Sequence, residues 1–236
     1  KIMTPMMFEY KLFNMAYTNK KKIVLPESSD DRILRAAEIV LNRNIADIIL
    51  LGDSSKIKER YLRLGLNLSG ATIIEPCKSP LMDKFVESFY ELRKAKGLTK
   101  ERAKDAMLHL NYFATMMVHL GYADGMVSGA IHSTGDTIRP ALQIIKTTPD
   151  ISIVSSLFFM CLKTKVLVYG DCAINQDPTP PQLAQIAISC AKTAKIFGIE
   201  PKVAMLSYST GKSAKGSDVE KVREATQIAK ELSPDI

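Results

Sequence analysis

Asp124-Gly125-Met126-Val127-Ser128-Gly129-Ala130-Ile131-His132-Ser133-Thr134-Gly135-Asp136-Thr137-Ile138-Arg139-Pro140 is the stretch on which the reading of this chain turns. An apolar pair of strand type, Met126-Val127, opens into a turn rich in glycine and hydroxyls, and a single arginine follows. Small residues let backbone amides approach an anion, and hydroxyls donate to its oxygens. A helix starting near Ser133 or Thr134 directs its free N–H groups and positive dipole end at the same spot. Arg139 adds a charge-assisted contact that can be two-pronged. The same composition also serves a plain helix cap after a tight turn, because Ser and Thr cap helices and Gly tolerates positive φ. On spacing alone the two readings stand level, so residues elsewhere must separate them.

Strands and helices alternate on the amino-terminal side of this turn. Thr4-Pro5 opens a helix whose apolar side takes Met7, Tyr10, Leu12, Phe13 and Tyr17. Ile23-Val24-Leu25 reads as a buried strand, and 31–41 as a helix with Ile33, Ala36, Ala37 and Val40 on one face. Residues 47–51 form a second strand ending at Gly52. A helix over 57–64, a short strand over 72–74 and two longer helices over 81–96 and 100–120 follow, the last two parted at Gly97. This order predicts an α/β fold with a mostly parallel sheet, whose ligands sit outside the carboxyl ends of the strands. Residues 128–139 fall at such an end.

The pattern changes at Thr147-Thr148-Pro149-Asp150. Two strand-like runs, 151–162 and 166–169, are separated by Lys163-Thr164-Lys165, short enough for an antiparallel hairpin. The domain boundary is therefore placed here, with a first domain over 1–149 and a second over 150–236. Thr179 caps a helix begun by Pro180 and Pro181; Leu183, Ile186, Ala187, Cys190 and Ala194 form its buried stripe, and Gly198 ends it. Residues 203–206 read as a strand. Ser217-Asp218-Val219-Glu220 has the form of a capping box for a helix running to about Leu232. Asp235-Ile236 resembles the start of one more strand, which leaves the second domain unfinished.

With 236 residues, 46% of them hydrophobic, the chain can bury a substantial core. No apolar run approaches the roughly 18 residues of a membrane span, and residues 1–19 lack the apolar centre and cleavage site of a signal peptide. Cys77, Cys161, Cys172 and Cys190 show neither C-x-x-C nor C-x-x-H spacing. That argues against a zinc site or a disulfide framework and for a reducing cytoplasm. Cys161 and Cys190 lie in apolar periodic segments and are expected in the core, while Cys172, beside Asp171, is the one candidate nucleophile. The net charge of +7 suits anionic ligands. With no aromatic-interleaved basic stripe, zinc finger or basic heptad, it does not indicate nucleic acid.

Three further segments invite a chemical reading. Leu206-Ser207-Tyr208-Ser209-Thr210-Gly211-Lys212-Ser213 ends like a P-loop, but Leu206 stands where a P-loop needs glycine, and the following helix starts too late. Anion contact by its hydroxyls remains open. Glu91-Leu92-Arg93-Lys94-Ala95-Lys96-Gly97 closes a helix with three cations, which suits the negative end of the helix dipole. Gly170-Asp171-Cys172-Ala173-Ile174-Asn175 sits at a strand end, as a site or as a turn.

Taken together and in order, residues 91–97, 124–147, 155–160, 169–175, 198–210 and 217–226 resemble phosphate acetyltransferase, and in detail the catalytic domain of its long bacterial form. The resemblance implies reversible acetyl transfer between acetyl-CoA and phosphate, giving acetyl phosphate and coenzyme A. It also implies a two-domain, three-layer α/β/α fold like that of isocitrate and isopropylmalate dehydrogenases, incomplete here, with the site between the domains. Coenzyme A enters as substrate, and neither cofactor nor metal is required. Thiolate attack on the acetyl carbonyl demands alignment and fixed donors for the developing charge. On this resemblance Arg93 and Arg139 bind coenzyme A and phosphate, with Arg93 toward the 3′-phosphate and Arg139 also catalytic. Ser128, Ser133, Thr134 and Thr137 hold phosphoryl oxygens, and Ser209, Thr210 and Ser213 face them from the second domain. A homodimer or higher homo-oligomer, no nucleic acid and no membrane are the partner expectations.

One departure stands out. The family's Asn-Asp-Leu-Ser-Arg-Gly motif, whose Asp is taken as the base for the thiol, does not occur in the chain, nor does the Ser-Arg pair before it. The chain is therefore expected to be a piece of a longer protein, truncated at its carboxyl end and inactive alone. Two alternatives remain. One is a phosphate butyryltransferase-like enzyme; the other is a non-catalytic module for coenzyme A or phosphate. A metal-dependent dehydrogenase of the same fold lacks the expected aspartate cluster.

Overall fold

The computed structural model describes residues 2–149, 151–211 and 213–236. The chain divides into two compact units, one of residues 13–146 and one joining residues 1–12 to 147–236. The division after Lys146 lies three residues before the boundary expected from the sequence, and the first twelve residues group with the carboxy-terminal unit instead of the first.

In the 13–146 unit, β1 (Lys21–Leu25), β2 (Ala46–Leu51), β3 (Thr72–Ile74) and β4 (Gly125–Met126) form a parallel sheet in the order β3-β2-β1-β4. Alternation along the strands divides their side chains between two cores. Val24, Ile49 and Leu51 pack with Phe85 and Phe89 of α4 (Met82–Arg93), Met107 of α5 (Lys100–Leu108), and Phe113, Met116 and Met117 of α6 (Leu110–His119). Leu25, Ile48 and Leu50 face the other way, toward Leu34 and Ala37 of α2 (Asp31–Asn42) and Ile57 of α3 (Ser54–Arg63). A sheet buried on both faces needs near-continuous apolar strands, and Ile48-Ile49-Leu50-Leu51 is one. The helix read over 100–120 is in fact two. His109 has ψ of 123°, incompatible with helical continuation, and serves as both the C-cap of α5 and the N-cap of α6.

In the other unit, β5 (Leu157–Cys161) pairs antiparallel with β6 (Val166–Gly170), as the hairpin spacing predicts, but residues 151–156 stay outside the strand. Phe8 of α1 (Pro5–Thr18) packs on Phe159 and Phe197, with centroids 4.9 and 6.0 Å away. Phe8 is the buried residue of α1, whereas Tyr10 and Tyr17, expected on its apolar side, are exposed. Phe13 belongs to the other unit and lies under the Arg43 guanidinium, so the helix serves two partners and shows no single stripe. α8 (Pro180–Ile196) packs on β6 and on α9 (Ser217–Leu232), and Ala184, Ala187 and Ala191 of α8 and Ala225 of α9 are buried.

Four further expectations are corrected. Residues 203–206 form no strand: Leu206 is exposed, and without a neighbouring strand a β-run has no ladder to satisfy its amides. The capping box at Ser217 is absent, because Gly216 takes the N-cap position and Glu220 pairs with Arg223; the box forms instead at Thr179 with Gln182. Cys161 is exposed at the end of β5, and Cys190 is half-buried. The chain's last residues make a turn, with the Ile236 amide donating to the Ser233 carbonyl, in place of a strand start. Among the described residues no helix is long and apolar enough to cross a membrane.

Candidate anion-binding site

Strand order fixes where a site can form. The chain lays β1, β2 and β3 outward in sequence and then returns to place β4 on the free side of β1, so the connections leave in opposite directions from these two neighbours. The crevice beyond their carboxyl ends is the expected ligand position in such a sheet. The loop leaving β1 starts Pro26-Glu27-Ser28, and the loop leaving β4 is 127–133. β4 is held in register by the Asp124 amide on the Lys22 carbonyl and by the Lys22 amide on the Asp124 carboxylate, both at 2.8 Å.

The small residues after β4 do admit an anion, but that anion belongs to the protein. Glu27, 1% exposed, accepts four consecutive backbone amides: Gly129 and Ala130 donate to Oε2 at 2.9 and 2.7 Å, Ile131 and His132 to Oε1 at 3.0 and 2.9 Å. His132 Nδ1 lies 2.8 Å from the same Oε1. Gly129 makes the cradle possible with φ of 118°, a conformation that side-chain-bearing residues rarely adopt. Burial pushes the Glu27 carboxyl up, but the amides of Ile131, Ala130 and His132 and the His132 ring outweigh it and hold its pKa at about 2. Arg32, paired with Asp30, adds a 2.8 Å bond to the Ala130 carbonyl.

After the cradle, α7 (Thr134–Ile144) begins with Ser133 as its N-cap. The Ser133 hydroxyl accepts the Asp136 amide at 3.2 Å and donates to the Asp136 carboxylate at 2.7 Å. Hydrogen bonding from Ser133 lowers the Asp136 pKa, with Arg139 adding to the effect. Thr137 donates its hydroxyl to the Ser133 carbonyl, and Ser128 donates to Oδ1 of buried Asn111 at 3.0 Å. Asn111 Nδ2 in turn donates to the Asp136 carbonyl, joining the turn to the first coil of α7. Thr134 and Gly135 are exposed, and their amides have no intrahelical carbonyl to bond.

Arg139 lies one turn into α7, with Nη2 folded back to 3.7 Å from where a Gly135 Cβ would stand. Tyr112 of α6 connects it to the end of α4. Burial raises the Tyr112 phenol's pKa, opposed by Arg139 and then Arg93, so both guanidiniums sit within electrostatic reach of one hydroxyl. That hydroxyl donates to Gln143 Oε1 of α7 at 2.9 Å. Among the described residues neither Arg93 nor Arg139 is in an ion pair, whereas neighbouring Lys94 is paired with Glu91. Arg139 beside an exposed helix start, with Arg93 in electrostatic reach of the same Tyr112 hydroxyl, suits an anionic ligand. A separate groove of about 340 Å³, lined by Ser28, Ser29, Gly52, Lys56 and Arg60 among others, includes neither arginine, and its Arg60 is paired with Asp31.

Within the 1–12/147–236 unit, the 207–216 loop is exposed and bonded largely to itself. Ser209 donates to the Gly211 carbonyl and accepts the Ala214 amide, both at 3.2 Å, and Ser213 donates to the Thr210 carbonyl at 2.8 Å. Thr210 supplies that carbonyl from the same turn, and Lys212 lies outside the described residues. Cys172 Sγ is 3.1 Å from the Ser156 hydroxyl, which is no general base for a nucleophile. Beside it, Asp171 has φ of 59° and a buried Oδ1 without a partner among the described residues.

Residues 7–236 match the family model described as phosphate acetyl/butaryl transferase. The chain belongs to that family. It is 58% identical over 233 residues to the phosphate acetyltransferase of Nitratidesulfovibrio vulgaris, a match covering 99% of this chain and 33% of that protein. It superposes on a phosphotransacetylase from Streptococcus pyogenes with a TM-score of 0.92 at 47% identity, covering 99% of this chain and 71% of that one. For the EutD phosphotransacetylase from Staphylococcus aureus the TM-score is 0.87 at 45% identity, with 96% and 68% covered. The chain thus spans about a third of the length of the first curated relatives.

For this member of the phosphate acetyl/butaryl transferase family, the structure sets Arg139 at the start of α7 and both Arg139 and Arg93 within electrostatic reach of Tyr112. The turn hydroxyls of Ser128, Ser133 and Thr137 are already committed to partners. Glu27, Asn111, Tyr112 and His132 were not singled out from the sequence. Glu27 alone carries a usable sequence signal, an acid directly after a buried strand. Its meaning depends on β1 and β4 being neighbours, which the 102-position separation of Glu27 and Gly129 conceals.

Proposed function

We propose that this chain is the substrate-phosphate-holding part of a phosphate acetyltransferase, which interconverts acetyl-CoA and phosphate with acetyl phosphate and coenzyme A. The observation that carries the reading is Arg139, in no ion pair among the described residues, folded back over the exposed start of α7, with Arg93 acting on the same Tyr112 hydroxyl. It stands in a chain 58% identical, over nearly its whole length, to a named phosphate acetyltransferase. Arg139, with the Thr134 and Gly135 amides, binds the phosphoryl oxygens, and the Thr134 hydroxyl completes the shell, whereas the Ser133 O–H is already donated to the Asp136 carboxylate. Arg93 takes a second anionic group, the 3′-phosphate of coenzyme A. A bound acyl phosphate then meets fixed donors that need no rearrangement as charge develops on it. Ser128 and Thr137 act by holding the turn, and Ser209, Thr210 and Ser213 reach substrate only by exchanging bonds within their own loop.

The aspartate that activates the thiol in the family's Asn-Asp-Leu-Ser-Arg-Gly motif is not among these 236 residues. The chain alone therefore turns over negligibly, and the complete protein is active, as a cytoplasmic homodimer with the dehydrogenase-like two-domain architecture. A coupled assay with acetyl phosphate and coenzyme A tests this on both. Rates for the isolated chain equal to the complete protein's would place the base within these residues, and an inactive complete protein would overturn the enzymatic reading in favour of a binding module. Because the family model spans acetyl and butyryl transfer, the same assay is run with acyl phosphates of increasing length, and preference for butyryl phosphate would replace the acetyl assignment.

A further inference from the structure

A fully buried carboxylate is an unexpected neighbour for a phosphate. Backbone amides that converge on an anion are the usual means of holding one, and here four consecutive amides converge on Glu27. The cradle's positive dipoles are thereby neutralised from inside, and a second anion placed there would meet like charge. Two consequences follow from the geometry. The turn does not depend on ligand for its shape, because its amides already have an acceptor 2.7–3.0 Å away within the chain. The His132 ring is also fixed: a carboxylate only accepts, so Nδ1 carries the hydrogen, and in the neutral ring Nε2 is left as an acceptor. His132 directly precedes the N-cap of α7, so whatever holds it also holds the Ser133–Gly135 start of that helix.

We propose that Glu27 is a positioning residue of the anion site: its carboxylate occupies the amide cradle in place of substrate, fixes the Nδ1–H form of His132, and directs the substrate anion to the α7 start and Arg139. This rests on the phosphate-site reading above. The charge that binds substrate then comes from Arg139 and Arg93, and the cradle supplies shape.

The test uses the complete protein. Glu27→Gln keeps the shape but turns an NH₂ group toward amides that need an acceptor. The expected result is a rise of tenfold or more in KM for phosphate, with KM for acetyl-CoA changed less than twofold. Adding His132→Gln to Glu27→Gln should raise KM for phosphate no further, since both act through one ring. A lower Tm with unchanged KM for phosphate would reduce Glu27 to a structural residue and overturn the proposal. Fully additive effects of the two substitutions would overturn the coupling through His132. Should Glu27→Gln fail to fold, ¹⁵N NMR of the histidine-labelled wild-type protein decides: the Nδ1–H tautomer at His132 is expected, and an Nε2–H tautomer overturns the proposal. That tautomer is read without turnover, so it stands apart from any failure of the acetyltransferase reading.

Discussion

Residues 128–137 and 207–216 are both rich in glycine and hydroxyls, and from composition either could hold phosphate. The first closes on a buried carboxylate through five polar contacts and leads straight into α7. The second bonds chiefly within itself, with ties among the described residues from Arg223 to the Ala214 carbonyl and from the Glu220 amide to the Gly216 carbonyl, and is mostly exposed. What separates them is what lies beneath. A turn at the carboxyl end of a parallel strand inherits the neighbouring strand's loop as a partner, whereas a loop without a strand before it does not. Composition therefore marks stretches that tolerate an anion, and topology selects the one in which backbone donors converge.

The largest effect expected on this contrast comes from Glu27→Ala. Removing the acceptor strands four part-buried amides and a ring nitrogen, at a cost of roughly 3 kcal/mol by analogy with broken charge networks. Urea denaturation reads this directly, and a change below about 0.5 kcal/mol would mean the turn stands without its carboxylate. The same group sets an acid limit. Its folded pKa of about 2 lies below the ordinary 4.5, so its contribution is complete above pH 4.5 and is lost as pH falls toward 2. Glu27→Gln should flatten the stability profile across that window, and an unchanged acid limb would assign acid unfolding to other carboxylates.

A smaller and more specific effect is expected from Arg139→Ala in the complete protein. Loss of a charge-assisted contact should cost about 2–3 kcal/mol in kcat/KM. Arg139→Lys should recover only part of it, because the planar fork is lost. Unchanged kinetics would remove Arg139 from the site and leave α7 a capped helix and nothing more. Ser209→Ala should have the least effect, below about 0.5 kcal/mol on stability, since its bonds are local to the loop and at most part-buried. If Ser209→Ala instead matched Arg139→Ala in kcat/KM, the contrast between the two loops would collapse, and the 207–216 hydroxyls would belong to the site.

Much of the amino-terminal unit was legible in the sequence. Ile23-Val24-Leu25, Thr72-Ile73-Ile74 and the Ser133 cap needed only periodicity and capping chemistry, both local properties. The carboxy-terminal unit was less legible. Residues 203–206 look like a strand, but β-structure requires a partner that local sequence cannot supply. α1 failed as a single amphipathic helix because Phe8 and Phe13 serve different units.

By itself the sequence determined the α/β class, the alternation that builds the parallel sheet, the place of the turn and the arginine that follows it. These depend on residues close together in the chain. Only the tertiary structure decided what the turn holds, because the β3-β2-β1-β4 order sets Glu27 beside residues about a hundred positions away. It likewise brought Arg93 and Arg139 within reach of Tyr112 from three different helices. Convergence of charge on one point is a property of packing, and no local pattern encodes it.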